Sequence, residues 1–195
     1  MLELHLRRNL LRRFLRDAKA VAAVEFALIL PLLVLLYFGT TEAASLYTVD
    51  RRVATVASTM ADLISRERGC ITTAKLDSYF TAATGIMQPY STSALKQVVT
   101  FLAVNKTSGA VTVKWSRPFG TGAVARTSTT QPPIGTATQI NNLARTKGWL
   151  VAAEIQYPYE PLYGVVIKTI NLGHTEYFLP RYEEEITTAG TCPTT

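Results

Sequence analysis

The chain has 195 residues, of which 48% are hydrophobic and 17% charged, and its formal net charge is +6 at pH 7. That length leaves room for one membrane segment and one further domain with a real core. The apolar excess is concentrated near the N-terminus and does not imply more spans, and much of the positive charge precedes residue 21, which argues against nucleic acid as a partner.

In the leader, residues 1–20, Arg7, Arg8, Arg12, Arg13, Arg16 and Lys19 outweigh Glu3 and Asp17. By the positive-inside rule this segment stays in the cytoplasm, and the chain beyond the next apolar run is exported. Leu2, Leu6, Leu10, Phe14 and Leu15 recur at helical spacing, so the leader can lie on an anionic leaflet as a basic amphipathic helix. Val21 to Phe38 is apolar except for Glu25. At about 1.5 Å per helical residue this run covers most of a bilayer core of roughly 30 Å, and residues 21–39 are read as one transmembrane helix. An ionised carboxylate inside a bilayer costs a few kcal/mol, so Glu25 either snorkels to the headgroups or is kept for a partner. A secretory signal cleaved near Ala43-Ala44-Ser45 is the rival reading of this end. It is disfavoured because the run is longer than a signal core of roughly 7–15 residues and contains a glutamate.

The stretch K-A-V-A-A-V-E-F-A-L-I-L-P-L-L, preceded by Arg16 and Asp17 and followed by Phe38, Gly39 and Glu42, resembles the signature of TadE-like proteins. These are pseudopilins of tight-adherence (Flp-type) pilus systems. The resemblance rests on Val24, Glu25, Phe26, Ala27 and Leu28 with Pro31, and covers about the first quarter of the chain. It implies that a prepilin peptidase cuts between Ala20 and Val21, with Ala20 standing where the family has glycine. Val21 then becomes the N-terminus and Glu25 the fifth residue, placed to meet the N-terminal amine of a neighbouring subunit. The implied partners are other pilin-like subunits, the inner-membrane pilus assembly platform, the prepilin peptidase and the membrane itself. The implied fold is pilin-like α+β, a long N-terminal helix packed on a small antiparallel sheet.

Beyond the span, residues 40–68 continue the helix, since no Gly or Pro interrupts Thr40 to Arg68. Leu46, Val49, Val53, Val56, Met60 and Leu63 form one apolar stripe, with Asp50, Arg51, Arg52, Ser58, Thr59 and Arg66 largely off it. Gly69 is placed to turn the chain, and residues 69–195 form the periplasmic domain. Thr72 or Thr73 caps a second helix with Leu76, Tyr79, Phe80, Ala83 and Met87 on one face, ended by Pro89. Leu95 to Asn105 and Ala110 to Arg117 alternate as the arms of a hairpin around Lys106-Thr107-Ser108-Gly109, with Val111, Val113 and Trp115 sharing a face. Phe119 to Gly135 reads as a long surface loop, and Thr138 to Arg145 as a short helix. A third strand runs from Gly148 to Tyr157 and is broken by Pro158 to Gly164. Val165 to Leu172 fits helix or strand, and a last strand spans His174 to Tyr182.

Catalysis has little support. His5 lies in the leader and His174 stands alone in a strand, read as a surface or packing residue, and neither has a Cys, Asp or Ser at a recognisable motif spacing. Glu183-Glu184-Glu185 lacks the spacing of a calcium loop and reads as a solvated face. Tyr157, Tyr159 and Tyr163 are expected to pack a turn. The reading is of a structural subunit rather than an enzyme, with no cofactor and no metal. A signal-anchored periplasmic binding or enzymatic domain is the alternative. Two cysteines, Cys70 and Cys192, flank the exported domain on the oxidising side and are expected to pair, the alternative being two free thiols.

Overall fold

The computed structural model describes residues 18–128, 143–144, 148–164 and 168–193, with side chains from Val21 onward. The amphipathic helix expected over Leu2 to Leu15 lies outside these residues, as do most of the helix expected at 138–145 and part of the 119–135 loop. The chain forms two compact units, one of residues up to Ser45 with Pro161–Lys168, the other of Leu46–Glu160 with Thr169–Thr195. Helix α1, Ala18–Ser65, runs through both.

In the larger unit, α1 buries Val49, Val53, Val56, Ala57, Met60, Ala61 and Ile64 completely. Ile64 replaces Leu63 in the stripe. A straight helix turns every 3.6 residues, so a stripe drawn at alternating three and four spacings drifts off the buried face within a few turns. The helix ends at Ser65 rather than Arg68, and Gly69, at φ +66°, makes the turn with a backbone that suits glycine.

After the turn come β1, Cys70–Thr72, and α2, Thr73–Thr84. The Thr72 side chain accepts a hydrogen bond from the Lys75 amide at 3.2 Å, the expected N-cap. Four strands follow: β2 Lys96–Val104, β3 Val111–Phe119, β4 Trp149–Tyr159 and β5 Ile170–Phe178. They form an antiparallel sheet in the order β3-β2-β4-β5. One face, with Val99, Phe101, Val151, Ala153 and Ile155, shares a core with α1 and with Leu76 and Phe80 of α2. The other face carries Leu102, Val104, Leu150 and Ala152. The fold is therefore α+β, with the second half of the long helix packed on a small antiparallel sheet.

Val111, Val113 and Trp115 do not share a face. Phe101 pairs with Trp115 but the next residue, Leu102, pairs with Val113, so Lys114 is an extra residue in β3. Such a bulge reverses the alternation on one side of it. Val111 and Val113 pack beside Leu102 and Val104, whereas Trp115 joins the helix-side core, stacks on Phe101 at 5.9 Å and donates to the Ile186 carbonyl at 2.6 Å.

Pro158 does not break β4, which continues to Tyr159. The pairing of β2 with β4 stops at Gln156, so Pro158 lies where β4 is flanked only by β5 and no ladder donor is missing on the other side. The final long strand begins at Ile170, four residues ahead of the expected start, and ends at Phe178 before Pro180. A short strand β6, Thr187–Ala189, pairs in parallel with β1. Three-residue strands carry no usable periodicity, which is why the sequence gives no sign of either.

Polar contacts close the unit. Glu154, 4% exposed on β4, accepts a fork of hydrogen bonds from Arg126 at 2.9 and 2.6 Å, which ties the segment after β3 to the sheet. His174 is not alone: its Nε2 lies 2.7 Å from Asp50 Oδ1 on α1. Glu184 and Glu185 meet Arg68 and Lys114 at 3.4 and 3.3 Å, so two of the three glutamates are in ion pairs across the surface. Asp62 is bonded to Arg66 and, at 3.2 Å, to Arg181; these bonds hold its carboxyl below the usual carboxylate range.

Cys70 and Cys192 form a disulfide with Cα atoms 5.7 Å apart, closing a separation of 122 residues. It joins the start of the β1-β6 pair to the segment after β6. In the chain-entropy description such a closure contributes about 4–5 kcal/mol. The oxidised chain, denatured without reductant, should show no reactive thiol, and two after reduction. Replacing both cysteines with serine should lower the urea midpoint clearly; an unchanged midpoint would mean that the bridge adds nothing.

Candidate functional site

The first half of α1 differs from the second in one respect: among the described residues, nothing covers its side chains from Val21 to Tyr37. Val21, Val24, Phe26, Leu28 to Leu30 and Leu32 to Tyr37 are all exposed, Leu28 by 75%. At about 1.5–3 kcal/mol for a fully buried side chain, the partial exposure of this set amounts to a penalty in water on the order of 10 kcal/mol or more. A contiguous apolar surface of this kind marks a membrane or a partner. The helix is long and apolar enough to cross a bilayer, which is compatible with a single-pass anchor.

Glu25 is exposed on this surface, and Val24, Phe26, Ala27 and Leu28 stand beside it. Pro31 lies inside the helix without ending it. Its missing N–H leaves the Ala27 carbonyl without the usual donor, a defect that membrane helices tolerate. Ala20 and Val21 lie within the regular helix, with Glu25 about 6 Å along the axis from Val21.

The same unit contains a second feature. Glu42, about two turns of helix before Val49 enters the sheet core, is 1% exposed. Its Oε1 accepts hydrogen bonds from the backbone amides of Tyr163, at 3.0 Å, and Gly164, at 2.7 Å, while Oε2 is buried with no hydrogen-bond partner among the described residues. Gly164 has φ +60°, a left-handed conformation that lets two successive amides converge on one oxygen. Tyr163 packs on Phe38 with ring centroids 4.6 Å apart. The sequence marked Glu42 only as part of a signature; that its carboxylate organises a loop 121 residues away has no local sign, since the donors are backbone amides.

Of the residues singled out from sequence, the structure unites Cys70 with Cys192 and keeps Val24, Glu25, Phe26, Ala27, Leu28 and Pro31 on one uncovered helix. Tyr159 is a core residue and Tyr157 packs against that core, whereas Tyr163 belongs to the other unit.

The class this defines is an α+β protein carrying one long N-terminal helix whose first half is apolar and exposed. A family model described as TadE-like protein matches residues 20–62, the greater part of that helix. The TadE-like family is associated with the tight-adherence pilus and is structural rather than enzymatic. No curated protein and no solved structure matches the chain.

Charge-assisted hydrogen bonds are worth roughly 1.5–3 kcal/mol each. Glu42→Ala should therefore speed hydrogen exchange at the Tyr163 and Gly164 amides by about tenfold or more, with the β2 and β4 amides unchanged. Equal rates at all of these amides would show that the carboxylate does not hold the loop.

Proposed function

We propose that the chain is a minor pilin-like (pseudopilin) subunit that acts in assembly or initiation of a tight-adherence pilus. Residues 21–39 anchor it in the bacterial inner membrane, with the leader 1–20 in the cytoplasm, and residues 40–68 and 69–195 lie in the periplasm. The observation that carries this reading is a coincidence on one element: the TadE-like match falls on the helix whose first half is uncovered and bears a single carboxylate.

A prepilin peptidase cutting between Ala20 and Val21 removes the basic leader and creates a new α-amine. Glu25, the fifth residue of the processed chain, pairs with the amine of a neighbouring subunit, so that two charges costly in lipid neutralise each other. Lateral contact between uncovered helices then buries the apolar side chains of both. Other pilin-like subunits and the assembly platform are the partners; nucleic acid, metal and cofactor have no part in this mechanism.

Glu25→Gln should leave membrane insertion intact, because removing an anion from the span eases insertion. Breaking one side of a buried ion pair costs about 3–5 kcal/mol, so cross-linking in cells to other pilin-like subunits should fall more than tenfold. Parental cross-linking by the variant would contradict the pairing role. Recovery of the parent chain in the soluble fraction would contradict the anchor.

A further inference from the structure

Two segments of the smaller unit meet where the apolar run ends. Tyr37 and Phe38 lie edge to face at 5.6 Å, and the Tyr163 ring sits 4.6 Å from Phe38. The Tyr163 backbone is fixed at Glu42, yet its ring reaches Phe38, four residues and about 6 Å nearer the apolar run. The side chain therefore points along the helix toward that run. Next to it, Leu162 is 80% exposed, the most exposed large apolar side chain among the described residues. The loop is held through its backbone by a buried carboxylate, while its leucine is left outside.

We propose that Pro161–Gly164 is a second membrane contact, which sets Leu162 and Tyr163 into the headgroup boundary of the bilayer beside Tyr37 and Phe38, with Glu42 as the clamp. The partner is the lipid surface itself. Three observations select it. The cluster continues the uncovered apolar surface of Val21 to Tyr37, so whatever lipid covers that surface reaches the loop. Tyrosines with an apolar body and a polar tip suit the interface, and two of the three rings are tyrosines. Lys168, exposed in the same unit, suits anionic headgroups. The proposal rests on α1 being a membrane anchor, and deepens that reading.

The test uses the full chain in phosphatidylethanolamine–phosphatidylglycerol vesicles at high lipid-to-protein ratio, with Leu162→Trp as the probe and the parent chain supplying the background of Trp115 and Trp149. The added fluorescence should be blue-shifted, quenched about twofold or more by lipids brominated near the headgroup, and shielded from aqueous iodide. Adding Glu42→Ala should reverse all three. Leu30→Trp, inside the apolar run, reports the anchor separately. Lipid quenching at Leu30→Trp with iodide quenching at Leu162→Trp overturns the loop contact alone; loss of lipid quenching at both overturns the anchor and the proposal together. Shielding of Leu162→Trp that appears only when chains are crowded assigns the surface to a second copy and overturns the lipid assignment. Lipid quenching that survives Glu42→Ala overturns the role of the clamp.

Discussion

One continuous helix presents two unlike surfaces. From Val49 to Ile64 its buried side chains pack against α2 and the sheet, whereas from Val21 to Tyr37 the large apolar side chains are exposed and no described residue covers them. The boundary between the two regimes falls near Glu42, and the helix crosses it unbroken. Everything else depends on this division: the domain can be folded and closed by its own core and disulfide, while the first half of α1 offers an apolar surface that lipid or other helices can cover.

Inside a bilayer, a carboxylate on such an apolar half is tolerable only if it is neutralised, placed near the headgroups or paired. Glu25 and Glu42 illustrate two ways of housing such a group on one helix. Glu42 is buried against backbone amides of the same chain, at Tyr163 and Gly164. Glu25 is exposed on the uncovered surface, and in the proposed subunit its partner is the amine of a neighbouring chain. The pairing proposed for Glu25 is thus the intermolecular counterpart of what Glu42 achieves internally.

The sequence made the long elements legible because their patterns are strong and local. The apolar run, the stripe of α1, the Thr72 cap, the β2-β3 hairpin and the cysteine pair could all be read from residue types at fixed spacing. What escaped depends on partners distant in sequence or on geometry without a residue signature. The Lys114 bulge moved Trp115 to the opposite face, and no residue type announces a bulge of this kind. His174 looked solitary because Asp50 lies 124 positions away on another element. Glu154 was a different case: a lone carboxylate inside W-L-V-A-A-E-I calls for a cation, but nothing in the sequence selects Arg126 as that cation. The site was legible as a motif, and the organisation of the loop around Glu42 was not.

Identity of the mature N-terminus tests the central claim most directly, because a pilin-like fate requires the leader to leave and the helix to stay. N-terminal sequencing of the membrane-extracted protein should begin at Val21, with Ala20→Gly giving the same product at least as fast. A chain that begins at Leu46 would have lost the whole uncovered half of α1 as a secretory signal, and would contradict the account; one that still begins at Met1 would retain the anchor but contradict processing as a pilin-like subunit.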